Sequence, residues 1–280
     1  MKLTCVTAVF NAVAAGNRER LVRCVESVAA LKAEHEHLVY DGASTDGTVE
    51  LLRELEAQTS GLKVVSEKDT GIYNALNKGV RDASGEWLYV LGCDDFISAP
   101  EVLDDVISHR IQSFDHVISP VVWDDGRRKR VGGIYRRNIF FGTPYCHQGV
   151  LTRTQVVRSC GGFGEKRRVF ADYALFAEIH RRAVRIAYLT KPFSTYYAEG
   201  MSAVGHGVFP DETMSVSKEL LGVSDEDVRR FKRKLYFPLK PFLPMLFHRD
   251  ATFRYAALYM VLRNIAGHFG YFNYKRGERI

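Results

Sequence analysis

Acidic residues recur in this chain directly after short β-branched runs, and that placement carries a chemistry. Leu91-Gly92-Cys93-Asp94-Asp95 ends an apolar run in two adjacent carboxylates. On a turn, neighbouring carboxylates point in different directions, so one can hold a divalent metal while the other meets a sugar hydroxyl. Hard oxygen donors suit Mg²⁺ or Mn²⁺ bridging a diphosphate. The same pair also reads as acids preceding the helix that starts at Pro100. Asp41, followed by Gly42, closes a second run and can accept a hydrogen bond from a nucleobase imide or a ribose hydroxyl, or form an Asx turn. Asp46 reads as a helix cap or loop organiser. Asp69-Thr70-Gly71 precedes a helix on which Asn74 and Lys78 share a face opposite Ile72 and Leu76. Lys78 on that face can contact a phosphate or pair with an acid.

Positioning these groups requires alternating elements. The sequence predicts strands at Leu3–Phe10, His37–Tyr40, Leu62–Ser66 and Trp87–Leu91. Between and after them it predicts helices at Arg18–Lys32, Thr45/Asp46–Glu56, Ile72–Asp82 and Pro100–Arg110. Strands separated by helices of this length imply βαβ units and a parallel sheet, in which ligands bind beyond the carboxyl ends of the strands. Asn11, Asp41, Asp69 and the Asp94-Asp95 pair then arrive at one edge. Their mutual repulsion is costly without a cation or a hydrogen-bonded ligand. Downstream, Asp124-Asp125-Gly126 flanked by Val117–Trp123 and Lys129–Tyr135 predicts a hairpin. A Gly/Pro-bearing loop (Phe140–Gln148), a Gly-rich loop (Gly161–Arg168) and a helix over Asp172–Arg182 follow.

Composition narrows the class. The 280 residues are 46% hydrophobic and 26% charged, a globular rather than a disordered profile. Five scattered cysteines without a CxxC or CxxH spacing point to a reducing compartment and against a structural zinc. No uncharged apolar run reaches the length of a membrane span. The first 16 residues resemble a leader superficially, but one basic residue and the interruptions at Thr4, Thr7 and Asn11 favour a buried strand. No GxGxxG follows the first strand, which disfavours a dinucleotide dehydrogenase. Asn11–Asn17 holds only Gly16, which disfavours a nucleotidyltransferase, and a non-enzymatic binder leaves the strand-end acids unexplained.

Five stretches together resemble the family 2 glycosyltransferases. They are Thr7–Asn11, Asp41–Thr48, Asp69–Gly79, Ala83–Trp87 and Leu91–Asp95, in the family's order and spacing. The resemblance implies a GT-A fold: a Rossmann-like α/β sandwich of the nucleotide-diphospho-sugar transferase type, with a mostly parallel central sheet. It also implies inverting transfer of one sugar from a nucleotide-diphosphate sugar, most often UDP-linked, with Mn²⁺ or Mg²⁺ as cofactor. By position, Thr7, Val9 and Asn11 would line the nucleotide pocket and Asp41 would meet the nucleobase. Gly42, Ser44, Asp69, Gly71, Asn74 and Lys78 complete the donor-side expectation. Asp95 would be the metal ligand and Asp94 the ribose or sugar contact of a DxD-type motif, with Cys93 standing where a third acid often occurs. Asp172 matches the catalytic base, Ala171 replacing a frequent Glu. His147, Gln148, Arg167 and Arg168 are expected near the diphosphate or acceptor. The Gln-x-x-Arg-Trp motif of processive members is absent.

The chain's charge is uneven. Arg229–Ile280 carries 12 Lys/Arg against 2 Asp/Glu, with 12 aromatic residues. Such a tail suits an anionic bilayer surface and a lipid-linked acceptor, or packing on a second subunit. No nucleic-acid module accompanies it. The expected organisation is a catalytic domain over 1–210, divided into a nucleotide half (1–100) and an acceptor half (101–210). A basic, aromatic, helical extension over 211–280 would follow, the whole working on the inner face of the plasma membrane.

Overall fold

The computed structural model describes residues 2–140, 142–197, 210–227 and 241–268. The chain opens with β1 (Leu3–Val9), α1 (Arg18–Ala29), β2 (His35–Asp41), α2 (Thr48–Gln58), β3 (Leu62–Ser66), α3 (Ile72–Asp82) and β4 (Trp87–Val90). β1 pairs in parallel with both β2 and β4, and β2 pairs in parallel with β3. Their carboxyl ends therefore share one edge. Both faces of this sheet are covered: α1 and α2 bury Leu21, Val25 and Leu52 against Val9, Val39 and Val64, while α3 lays Leu76 and Val80 against Val6.

The sheet has seven strands in the order β10-β6-β9-β4-β1-β2-β3, where β6 is His116–Ile118, β9 is Val150–Arg153 and β10 is Ile186–Tyr188. β9 runs antiparallel to both β4 and β6, so the sheet is mostly, not wholly, parallel. A second sheet, β5-β11-β7-β8, joins Phe96–Ile97, Ser194–Tyr197, Val121–Asp124 and Lys129–Gly132. The hairpin around Asp124-Asp125-Gly126 forms as β7 and β8, with Asp125 accepting from the amides of Arg127 and Arg128. Its first arm is shorter than expected. Val117 and Ile118 belong to the large sheet, and the chain changes sheets at Ser119-Pro120, because Pro cannot donate to a continuous ladder.

After α4 (Pro100–Asp105) and α5 (Thr154–Ser159), α6 (Ala171–Arg181) packs under the sheet through Leu175, Phe176 and Ile179. The extension contributes α7 (Pro210–Leu221) and α8 (Ala251–His268). α8 buries Phe253, Ala256, Ala257 and Met260 against Ile139, Phe140 and Phe242. The opposite side of α8 faces out: Tyr255, Leu258 and Leu262 are 51%, 49% and 55% exposed. Asp250 caps α8 through the amides of Thr252 and Phe253 and lies 3.0 Å from His180 Nδ1 on α6, with both side chains buried. The basic stretch Arg229–Lys240 and the chain beyond His268 lie outside the described residues.

Candidate active site

At the β2 exit, Asp41 is almost wholly buried. Its Oδ2 accepts from the Ser44 amide (3.0 Å) and Ser66 Oγ (2.7 Å), and Ser44 Oγ donates to Oδ1. Ser44 Oγ in turn accepts from the Asn11 amide at 2.7 Å, while Asn11 Oδ1 accepts from the Thr45 amide. Asp46 accepts from the amides of Ala14 and Thr48, the loop-organising part expected of it. Asn11 and Ala43 hold positive φ (47° and 62°), an uncommon backbone for non-glycine residues, sustained by these bonds. The β1 and β2 exits are thus one knitted rim. Asp69 closes over it: a Cβ on Gly42 would stand 2.8 Å from Asp69 Oδ2, so a larger residue there would push that carboxylate off the rim.

Two expectations for β1 are corrected here. Thr7 is fully buried and bonds His37 Nε2 at 2.9 Å, and Val9 lies in the core with Leu21 and Val25. Both side chains lie on the face of β1 that α1 covers, Thr7 beside Cys24 and Val9 against Leu21 and Val25. Asn11 lies just past the strand's end, on the rim.

At the β4 exit the two carboxylates crowd one glycine. A Cβ on Gly92 would lie 2.6 Å from Asp95 Oδ2 and 3.0 Å from Asp94 Oδ1. Asp95 is 2% exposed. The Tyr197 amide donates to its Oδ1 (2.9 Å) and Gln148 Nε2 to its Oδ2 (2.8 Å). Burial, then the Asp94 charge, pushes the Asp95 carboxyl up to about 7 against those two bonds. Such a site gains from a cation. Among the described residues no group of three or more His, Cys, Asp or Glu forms a cage. Two carboxylates beside a glycine cradle nevertheless fit Mg²⁺ or Mn²⁺, which take their remaining ligands from phosphates and water.

Across the cleft, Asp172 sits in the first turn of α6 with its Oδ2 3.6 Å from His147 Nδ1. Burial lowers the His147 pKa, but Asp172 first, then Asp95 and Asp94, overcome this and leave it raised. His147 therefore stands in the field of both acid sites. Gln148, expected at the diphosphate or acceptor, lines the same cleft and donates its side-chain amide to Asp95. Arg167 is engaged by Glu219 at 2.7 Å. Lys78 pairs with Glu67 (2.8 Å) and the Lys68 carbonyl, the acid-pairing alternative of the sequence reading. Asn74 donates to Glu165 in the Gly-rich loop, as does Asn77.

Two residues with positioning parts were not singled out from the sequence. Glu212, on α7, accepts from the amides of Arg168, Val169 and Phe170, the turn that launches α6 and Asp172. Tyr197 fixes Asp95, its ring held by Arg20 (4.4 Å) and its hydroxyl by Arg23 (3.1 Å). Glu212 reads locally as an ordinary first-turn acid, and Tyr197 as a strand residue. Beside Asp172 and His147 a cavity of about 610 Å³ runs inward beneath the sheet.

Strand order, the acid-bearing sheet edge and the flanking second sheet define a GT-A type nucleotide-sugar transferase fold. The model of "Glycosyl transferase family 2" matches residues 4–173, and the chain belongs to that family. A PGL/p-HBAD biosynthesis glycosyltransferase of Mycobacterium bovis is 30% identical over 163 residues, 55% of this chain and 61% of the relative. The matched region thus spans less than two thirds of that relative's length. Chondroitin synthase of Escherichia coli is 26% identical over 57% of this chain and 24% of its own. In fold, the chain is similar to S. aureus TarS 1-349 in complex with UDP (TM-score 0.61, 16% identity, 100% of this chain and 94% of that one). It is also similar to mannosyltransferase PcManGT from Pyrobaculum calidifontis in complex with GDP-Man and Mn²⁺ (TM-score 0.60, 17% identity, 98% and 76%).

Proposed function

We propose that this protein is an inverting glycosyltransferase that moves one sugar from a nucleotide-diphosphate sugar, a UDP-sugar by our reading, to a hydroxyl of a lipid-linked or saccharide acceptor in bacterial surface glycan synthesis. The observation that carries this is the arrangement of two acid sites around His147: the Asp94-Asp95 pair at the sheet edge and Asp172 at the start of α6. In this reading Asp41, Ser44 and Asn11 form the nucleoside rim. Asp95 and Asp94 hold Mn²⁺ or Mg²⁺, which when bound neutralises charge on the departing diphosphate. Asp172 removes the proton from the acceptor hydroxyl as that oxygen attacks the anomeric carbon. His147, held protonated by the neighbouring Asp172 charge, orients that carboxylate. A single displacement inverts the centre.

The extension supports a membrane-bound acceptor. No helix among the described residues is long and apolar enough to cross a bilayer. The outward face of α8 presents Tyr255, Leu258, Tyr259 and Leu262, and the surrounding tail is basic. This fits peripheral attachment to an anionic inner leaflet through 229–280. Calorimetry with UDP, with and without Mn²⁺, tests the donor reading. Metal-enhanced binding is expected, and equal indifference to all nucleotides with or without metal refutes it.

A further inference from the structure

β8 is the outer strand of the second sheet, and every residue from Asp125 to Val131 is exposed. The hairpin and the turn after it, residues 121–137, carry six Lys/Arg against two Asp. Both acids are engaged within the hairpin. Asp124 is buried with its Oδ2 3.3 Å from Lys129 Nζ, and Asp125 is turned back onto the amides of Arg127 and Arg128. Arg127, Arg128 and Arg130 form no ion pair among the described residues, and Arg130 lies 5.3 Å from the centre of the Trp123 ring. Exposed arginines elsewhere on the protein are held by acids: Arg53 by Glu56, Arg81 by Asp82, Arg181 and Arg182 by Glu178, and Arg185 by Asp115.

Charge on an edge strand guards against pairing with other chains, but either sign serves that purpose. A cluster of one sign repels itself and is relieved by an anionic partner. The apolar groups nearby say which kind. Val131 is 61% exposed and Tyr135 44%. Tyr135 leads directly into the 3₁₀ turn Arg136–Asn138, which packs on α8. There the Arg136 guanidinium lies 4.5 Å from the Tyr188 ring and 5.4 Å from that of Tyr255, which belongs to the outward face of α8. The basic hairpin and the apolar face of α8 therefore adjoin. A soluble polyanion would satisfy the arginines and leave Val131, Tyr255, Leu258 and Leu262 in water. The interface of an anionic bilayer takes both, phosphates for the cations and the acyl boundary for the apolar side chains.

Resting on the membrane reading of α8 above, we propose that the β7–β8 hairpin is a second membrane contact, in which Arg127, Arg128 and Arg130 meet the phosphates of anionic lipids and Val131 enters the interface beside them. Trp123 and Tyr135 of the same segment line the cleft that holds Asp172 and His147. Attachment at two places fixes the orientation of the catalytic domain, which a single tail leaves free to swing, and it strengthens binding without any new kind of contact. The cleft mouth is thereby held at the leaflet. An acceptor anchored in the same leaflet reaches Asp172 by lateral diffusion, without leaving the bilayer.

The test is sedimentation of the full chain with vesicles of phosphatidylcholine and phosphatidylglycerol in equal parts, and with vesicles of phosphatidylcholine alone. Binding to the anionic vesicles, weakening as salt is raised, is expected. Arg127→Gln combined with Arg128→Gln removes two charges from the exposed tip and leaves the backbone bonds to Asp125 in place. It should weaken that binding by about tenfold or more at an unchanged melting temperature. Val131→Trp puts a reporter on β8, and brominated phosphatidylglycerol should quench the added emission in vesicle-bound protein. Binding of the double variant equal to the parent's overturns the hairpin contact and leaves the α8 reading standing. Unquenched emission from vesicle-bound Val131→Trp overturns it as well, since β8 would then face water or a second copy of this chain. Failure of the parent to bind the anionic vesicles overturns the α8 reading itself, and with it the inference that rests on it.

Discussion

Asp95 is a carboxyl kept out of water, and this makes a quantitative prediction about stability. Its pKa in the folded protein is pushed up to about 7 by burial and by Asp94, while in the unfolded chain it returns to the ordinary carboxylate range. Between these values the folded state keeps the proton that the unfolded chain releases. Stability therefore falls as pH rises from about 4, and levels off above about 7. A gap of roughly three pH units corresponds to a ceiling of about 4 kcal/mol. Asp95→Asn removes this titration while keeping the shape and an acceptor for the Tyr197 amide; the Gln148 amide can turn its oxygen toward the new NH₂. The metal-free variant should therefore gain stability over the parent, and the gain should grow by about 2–3 kcal/mol between pH 5 and pH 8. Urea unfolding at both pH values, with chelator present, measures it. Mn²⁺ at pH 8 should raise the stability of the parent and leave the variant unchanged. Parallel stability curves for the two proteins across this range would refute the argument that desolvation governs the site.

Three further outcomes follow from named contacts. Asp172→Asn should reduce transfer by about 10²–10⁴-fold, the span of a lost general base, with UDP affinity intact; turnover at the parent's rate would move the base elsewhere. Glu212→Ala removes the acceptor for three backbone amides at the launch of α6, and should cost about 2 kcal/mol in denaturant unfolding and lower kcat about tenfold at unchanged UDP affinity. An unaltered kcat would leave Glu212 a purely structural cap. Leu258→Asp combined with Leu262→Asp, on the exposed face of α8, should abolish flotation with anionic liposomes without changing the melting temperature; undiminished flotation would assign membrane contact elsewhere.

Much of this protein is written locally. Alternation of β-branched runs with 3.6-residue apolar stripes identifies β1 to β4 and their helices. Parallel connections then force Asn11, Asp41, Asp69 and Asp94-Asp95 to a common edge, because successive strands joined by helices end on the same side. Asp172 is legible because a helix start and a matching motif coincide in one segment. What the sequence leaves open depends on partners distant along the chain. β9 is four residues inserted antiparallel between β4 and β6, and nothing in Val150–Arg153 specifies that neighbourhood. Tyr197 reaches Asp95 across 102 positions, Gln148 across 53, and Glu212 reaches back over 42 to 44 to the turn before α6. The burial of Thr7 and Val9 and the outward turn of Leu258 were likewise decided by which surface packs on which. Residue type and spacing carry the period of an element and the chemistry at its end. Burial, pKa and cavity shape are sums over groups that only tertiary packing brings together, so no local reading can supply them.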